Sequence, residues 1–498
     1  MTTAFDYHTY SGRNTYCRSL CFLLGKAARD IFPGCRITMR RPISKGYLCH
    51  LTKTDGGTTT EEDVRKISSR MQELIDRDIP FVCHEAPREE VIRIFEEIGY
   101  TDKVKLLGTS SDDTIVYHTL DGTPDYYYDT LLPSTGGIFL FKLELYKGGM
   151  LLRVPDRHNP EVLAPFFEQP KTFEVFLENS RWNKIMGLET VGDVNSACRR
   201  GEASDLIQVA EALQEKKIVQ IAEEIERRYT GGDLKVVLIT GPTSSGKTTF
   251  CKRLCVQLKA CGLHPVSFST DDYFVNRVDT PKFPDGSYDF DNFETVDHRE
   301  LESDVLKLLQ GETIDEHVYN FVTGLREYTG RKLSLQSGSV LLIEGIHALN
   351  PELIPHVDAK YQFKVFINTI TSISLDDHNC IPTSDNRLLR RIVRDYLKGA
   401  FSAQETIQNW PNVRRAEGKW IYPYQETADI LFNSAYLVEF AVLKKSAERI
   451  LATVPEDSQE SREATRLLRF LHHFTPVPDK EIPSTSLLRS FIGGSSLQ

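Results

Sequence analysis

Hydrophobic patterning changes character near residue 231. Before that point helical and strand signals alternate irregularly. Thr59-Thr60-Glu61-Glu62 has the spacing of a capping box and predicts a helix from 61 to about 78. Over 87–98 the apolar residues Val91, Phe95 and Ile98 recur at helical spacing until Gly99 stops the run. Between 138 and 154 two apolar, β-prone stretches flank Lys147-Gly148-Gly149, the pattern of a hairpin. An amphipathic helix is predicted over 205–228, with Leu206, Ala210, Leu213, Ile221 and Ile225 on one side, ending at Gly231-Gly232.

Beyond Leu234 short apolar runs at 235–240, 265–269, 339–344 and 363–367 alternate with helical stretches. Continuous apolar strands of that length are buried on both faces, which predicts a parallel α/β sheet. After about 433 the chain turns helical, most strongly over 437–451 and 463–474, and the tail 482–498 has little periodicity. The expected organisation is an α+β domain over 1–200, an α/β domain over 230–435 and a helical extension over 436–498.

A length of 498 residues exceeds one ordinary core, and 40% hydrophobic with 26% charged residues is the balance of a globular chain. The formal charge of -10 argues against broad nucleic-acid binding, so an anionic ligand needs a focused site. No run reaches the roughly 20 apolar residues a membrane helix requires. The first residues lack the layout of a secretory signal. The ten cysteines form no disulfide framework, and a cytoplasmic protein without membrane partner is expected. Cys17/Cys21 and Cys251/Cys255 have helical spacing but no second ligand pair for zinc.

The strongest chemical signal is Gly241-Pro242-Thr243-Ser244-Ser245-Gly246-Lys247-Thr248-Thr249. It matches the full phosphate-loop pattern and sits between an apolar strand and a helix. Its amides would cradle phosphates at a helix N-terminus, Lys247 would neutralise the β/γ oxygens, and Thr248 would ligate Mg2+. ATP and Mg2+ are therefore the expected cofactors. Phosphoryl transfer also needs a base, a metal carboxylate and arginines. Asp271 and Asp272 follow one strand and Glu344 ends another. Arg387, Arg390 or Arg391, and Arg394 share one helical face. An aspartate after a strand is often only a helix cap, and arginines so spaced often make a solvated face. Their order around the loop favours catalysis.

In this arrangement residues 234–435 resemble the uridine kinase branch of the phosphoribulokinase/uridine kinase family, a P-loop kinase fold. The resemblance implies that Asp271, in SerThrAspAspTyrPhe, takes the proton of a nucleoside 5′-hydroxyl and joins Thr248 and Glu344 around magnesium. It implies that Asp289 holds the ribose hydroxyls and that Tyr319 and Phe321 pack against the base. Arg387 and Arg390 match arginines that close on the phosphates, and 421–432 matches a closing turn and strand. Lys247, Asp271, Arg387 and Arg390 are thus the expected catalytic set. The family's base-reading histidine is replaced by Gly324, with Arg326 as a candidate substitute. The expected activity is phosphorylation of uridine or cytidine. A kinase for another hydroxylated metabolite and an ATP-gated RNA-binding protein are the alternatives, and a homo-oligomer stays open.

Residues 12–190 resemble the editing-type domain of threonyl-tRNA synthetases, through the 18–27 helix, IlePheProGlyCysArg, Lys45-Gly-Tyr-Leu-Cys and Tyr127-Tyr128-Asp129. Arg18 and Phe22 replace the two histidines of that family's helix motif, and Leu131 and Thr135 stand at its later Cys and His. The resemblance implies a retained scaffold without the editing chemistry.

Overall fold

A computed structural model describes residues 5–43, 46–283 and 286–497; Lys45 of the synthetase-like motif lies outside them. Contacts group the chain into two units: 1–203 with 371–386 and 440–477, and 204–370 with 387–439 and 478–498. This differs from three consecutive blocks, because the expected extension over 436–498 is divided between the units. No described helix is long and apolar enough to cross a membrane.

In the first unit, helix Tyr10–Ile31 buries Tyr16, Leu20, Phe22, Leu23 and Ala27. They pack in one core with Ile37, Met39, Leu51, Ile67, Met71 and Leu152. Strands β1 (Arg36–Ile43), β2 (Gly46–Thr52), β3 (Phe81–Pro87), β4 (Thr114–Leu120), β5 (Thr123–Asp125), β6 (Lys142–Tyr146) and β7 (Gly149–Arg153) form two antiparallel sheets. Their orders are β1-β2-β7-β6 and β3-β4-β5. The expected hairpin is β6–β7, and Lys147 and Gly148, both at positive φ, make the two-residue turn that suits strand twist. Helix Glu61–Asp76 is capped by Thr60 with Asp63, one position later than the Thr59–Glu62 pair. Asp63 wins because it also pairs with Lys53 at 2.6 Å.

The segment 371–386 contributes a buried ionic cluster to this unit. Lys103 Nζ lies 3.0 Å from both Asp125 Oδ1 and Asp376 Oδ1, and His378 Nδ1 is 2.6 Å from Asp125 Oδ2. Burial alone would lower the Lys103 pKa, but the surrounding carboxylates outweigh it and hold the ammonium charged.

In the second unit, β8 (Val236–Thr240), β9 (His264–Ser269), β12 (Ser339–Glu344), β13 (Gln362–Asn368) and β14 (Ile430–Asn433) form a five-stranded parallel sheet. Its order is β14-β13-β8-β12-β9. The strands β10 (Ile314–Asn320) and β11 (Leu325–Leu333) make a separate antiparallel hairpin. The α/β class read from the strand runs holds, preceded by the α+β fold of the first unit and with helices Glu439–Leu451 and Ser461–His472 in the C-terminal part. Val237, Ile239, Leu342, Val365 and Ile367 are buried with Phe250 and Leu254 of helix Lys247–Ala260 and with Ile218, Ile221 and Ile225. Those last three lie on helix Ala203–Thr230, whose buried face runs Ile207, Ala210, Gln214, Ile218, Ile221, Ala222 and Ile225. Leu206 and Leu213 fall at its edge, half-buried. Leu487 of the C-terminal strap fills the same core, giving the aperiodic tail a fixed place.

Candidate active site

The phosphate loop starts where β8 ends, at the C-terminal edge of the sheet, beside its neighbours β12 and β13. A Cβ on Gly241 would lie 2.1 Å from Ile367 O of β13, so only glycine lets the chain leave the strand there. The loop then curls through left-handed backbone at Ser244 (φ 58) and Gly246 (φ 90) into helix Lys247–Ala260. Ser244 holds that conformation without glycine's freedom, a local strain typical of ligand-binding loops. Lys247 Nζ folds back on its own loop, donating to Gly241 O at 2.9 Å and Pro242 O at 3.2 Å. The Ser244 and Ser245 hydroxyls are buried without hydrogen-bond partners. A curled loop, a half-buried ammonium and two unpartnered hydroxyls suit an anion rich in acceptor oxygens, as a nucleotide phosphate is.

The carboxylates converge on the same place. Thr248 Oγ1 donates to Glu344 Oε1 at 3.0 Å, joining the start of the helix to the end of β12. Burial, with Asp271 close by, raises the Glu344 pKa to about 7 against the pull of Lys247 and the Thr248 hydrogen bond. Burial also raises Asp271, with Lys247 and Arg394 opposing, and raises Asp272 to about 6. Lys247 is lowered by burial. Three acidic groups that burial and mutual repulsion push towards protonation would be relieved by a dication. An all-oxygen set with a threonine hydroxyl has the chemistry Mg2+ prefers.

The expected acceptor residues lie in two places. Tyr319, on β10, is buried, its ring centroid 5.5 Å from Phe274 and 5.0 Å from Phe321, and its hydroxyl has no partner. Its amide faces Asp272 Oδ1 at 3.4 Å, tying the hairpin to the loop after β9. Asp289 is half-buried and accepts from Asn292 Nδ2 at 3.1 Å. Asp291, two residues on, is half-buried as well. Burial raises it to about 6, and Arg391 and Lys247 are near enough to oppose that rise. Arg326 is directed elsewhere: it is paired with Glu300 and donates to the Tyr273 and Phe274 carbonyls at 3.3 and 3.4 Å. Gly324 sits at φ +73 under the side chain of Arg277, where an added Cβ would be 2.8 Å from Arg277 Cβ and 2.9 Å from its Nε.

Arg387 and Arg390 were expected to close over phosphates, but both are fully buried in helix Thr383–Leu397 and brace the loop from its protein side. Arg387 is paired through both terminal nitrogens with Glu417 and reaches Thr243 O at 3.1 Å. Glu417 in turn accepts from the Thr243 amide at 3.1 Å. Arg390 is paired with Glu439, donates to Ser244 O at 3.3 Å and to Ser434 O at 2.7 Å, and lies 4.7 Å from the Phe491 ring centre. Of this helix's arginines, the one whose charge reaches Lys247 and Asp271 is Arg394, a partner of Asp395 at 2.7 Å. Helical spacing groups these arginines; only the distant glutamates separate them.

In the first unit, the four positions singled out by the synthetase resemblance make structural contacts. Phe22 packs in the core with Phe81 and Tyr127, their ring centres about 5.6 and 5.5 Å away. Arg18 pairs with Asp129 at 2.8 Å and donates to Thr130 O. The Thr135 hydroxyl donates to Leu74 O at 2.6 Å and accepts from the Ile79 amide at 2.8 Å. Leu131 lies against the same core.

Residues 236–440 match the model of the Phosphoribulokinase / Uridine kinase family. Within that stretch lie the five-stranded parallel sheet and the phosphate loop between β8 and the following helix, the arrangement of a P-loop nucleotide-binding fold. Among solved structures, a possible uridine kinase from Bacillus stearothermophilus is 19% identical, covering 40% of this chain and 89% of its own, with a TM-score of 0.28. A quarter to a third of the chain, in its N-terminal region, is similar to threonine–tRNA ligases. That of Methylobacillus flagellatus is 35% identical over 126 residues, which is 25% of this chain and 20% of the ligase. That of Symbiobacterium thermophilum is 29% identical over 168 residues, 33% of this chain and 26% of the ligase. The chain therefore spans only about a fifth to a quarter of the curated relatives it matches.

Proposed function

We propose that the second unit transfers the γ-phosphoryl group of ATP to a hydroxyl of a nucleoside, with uridine or cytidine as the acceptor. The carrying observation is the junction of Lys247, Thr248, Glu344 and Asp271, reached from the phosphate loop, β12 and the loop after β9. The curled loop and the Ser244 and Ser245 hydroxyls bind and orient the triphosphate, and Lys247 leaves its carbonyls to meet the β/γ oxygens. Thr248, Glu344 and Asp271 would hold Mg2+, which supplies charge neutralisation on the phosphates. Asp271 accepts the proton of the attacking hydroxyl, its raised pKa bringing its basicity closer to neutral pH. Arg394 is positioned by charge for the transferred group. Arg387 and Arg390 act by holding the loop in shape. Asp289 and Asp291 are both candidates for a sugar role, with Asp291 favoured by the nearby charges of Arg391 and Lys247. The Tyr319, Phe321 and Phe274 rings give a planar acceptor a stacking surface.

A second reading, a kinase for another hydroxylated metabolite, draws on Arg326. Its pairing with Glu300 takes it out of base recognition, and no other side chain projects from Gly324. The deciding experiment is ADP release from the full chain with Mg·ATP across uridine, cytidine, other nucleosides, pantothenate and ribulose 5-phosphate. Turnover on a pyrimidine nucleoside supports the first reading. Turnover only on a non-nucleoside acceptor supports the second, and silence with ATP bound overturns both.

A further inference from the structure

A second cluster of ligand-type side chains lies away from the phosphate loop, between helix His298–Leu309 and the β10–β11 hairpin. Glu300 and Asp304 are four residues apart, so they project from the same face of that helix. His317 enters from β10. One ligand atom from each of the three lies within 4.8 Å of the others. Two carboxylates on a helix would by themselves be unremarkable. The histidine changes the picture: it is 5% exposed, and its Nε2 is buried with no hydrogen-bond partner. The ring cannot easily turn to find one. It is held edge-on to Tyr273, centroids 4.5 Å apart at 73°, and to Tyr328, centroids 5.7 Å apart at 64°. Buried imidazole nitrogens are normally partnered, and an unpartnered one beside two carboxylates is explained by a bound ion.

We propose that Glu300, Asp304 and His317 bind one divalent transition-metal ion of the Zn2+ or Mn2+ class, apart from any ion at the phosphate loop. One imidazole and two carboxylates form a mixed nitrogen–oxygen set suited to such ions, whereas Mg2+ and Ca2+ favour oxygen alone. The Tyr273 hydroxyl, which donates to Asp304 Oδ2 at 3.2 Å, orients that carboxylate from behind. Two cations stand at the rim. Arg326 pairs with Glu300 but is anchored separately on the Tyr273 and Phe274 carbonyls, so Glu300 can turn inward without it. Lys307 reaches Asp304 Oδ1 at 3.3 Å from a half-exposed position and can swing into solvent. Asp297, 3.7 Å from Arg326, adds a third negative group, so the carboxylates outnumber the rim cations. An ion here would fasten the helix to the hairpin two residues before Tyr319, stiffening the side of the unit that carries the aromatic rings. The proposal does not depend on the kinase reading.

Calorimetric titration of the full chain with Zn2+, in excess Mg2+ to occupy hard-cation sites, tests it, with Co2+ substitution reporting geometry by its visible spectrum. Wild type should bind one Zn2+ and melt higher when loaded. His317→Gln and Asp304→Asn should each weaken that binding by about 10-fold or more and lose the melting shift, while still binding Mg·ADP as evidence of folding. Lys307→Met removes a competing surface cation and should tighten binding, which keeps the test meaningful if the ligand variants do not fold. No Zn2+ binding by wild type, or equal binding by wild type and all three variants, would overturn the proposal.

Discussion

Thr248 and Glu344 are 96 positions apart in sequence, yet the threonine hydroxyl donates to the glutamate at 3.0 Å and makes the first helical turn and the end of β12 one site. Burial raises the Glu344 pKa from 4.5 to about 7, so the folded chain holds a proton there that the unfolded chain has released. A carboxyl raised in this way costs stability as it ionises: its contribution falls between pH 4.5 and about 7 and stays low above that. Glu344→Gln should remove that slope and melt several degrees higher at pH 8, a gain on the order of 3 kcal/mol, while losing Mg·ATP turnover. In wild type, Mg2+ affinity should rise with pH up to about 7. Melting curves and Mg2+ titrations across pH 5–8 check both, and an unchanged slope in the variant would count against the buried acid.

Asp271 follows β9 and shares its electrostatic surroundings with Lys247 and Arg394. As the general base it should be worth about 10²–10⁴-fold in turnover. Asp271→Asn preserves shape and removes basicity, so kcat should fall by that range while ATP binding is retained. Single-turnover kinetics with the acceptor found in the substrate panel, beside nucleotide titrations, separate the two effects; near-normal kcat would sink the assignment.

Glu417 joins the Arg387 guanidinium to the Thr243 amide, so one carboxylate braces helix and loop together. Removing one partner of a buried ion pair leaves the other uncompensated, at a cost of about 3–5 kcal/mol. Glu417→Gln should lower the melting temperature and weaken ATP binding together. Arg394→Gln, near the surface, should lower turnover with little change in melting. If both variants lose turnover alone, the arginines were assigned to the wrong roles.

The phosphate loop was legible because its chemistry is contiguous and its context, strand then helix, is local. So were the parallel strands, whose unbroken apolar runs have few other uses. What escaped was settled by partners far along the chain. Arg387 and Arg390 look like exposed phosphate arginines until Glu417 and Glu439, 30 and 49 positions away, are seen to neutralise them. Asp289 and Asp291 lie two apart in one Tyr-Asp-Phe-Asp run, and only the fold brings the charges of Arg391 and Lys247 to Asp291. The short step from Thr59–Glu62 to Thr60–Asp63 was decided by Lys53, across the preceding loop. Segments 371–386 and 440–477 carry no compositional mark of the unit they join.

Gly324 offers the sharpest test of how the acceptor side is built. Its positive φ costs a residue with a Cβ roughly 1–2 kcal/mol. The Cβ would also press on Arg277, whose Nη2 bonds the Phe321 carbonyl and whose Nε is buried without a partner. Gly324→Ala should therefore cost more than the backbone strain alone and raise the acceptor KM by displacing Arg277 and Phe321, leaving the KM for ATP unchanged. Arg277→Gly removes the opposing Cβ and side chain, so in the double variant the steric part of the loss should return while the φ penalty persists. The coupling energy from that cycle isolates the contact, since residues that touch depart from additivity by about 0.5–3 kcal/mol. Additive losses would mean that Arg277 does not occupy the space above Gly324, and an unchanged acceptor KM would mean that this turn does not face the acceptor.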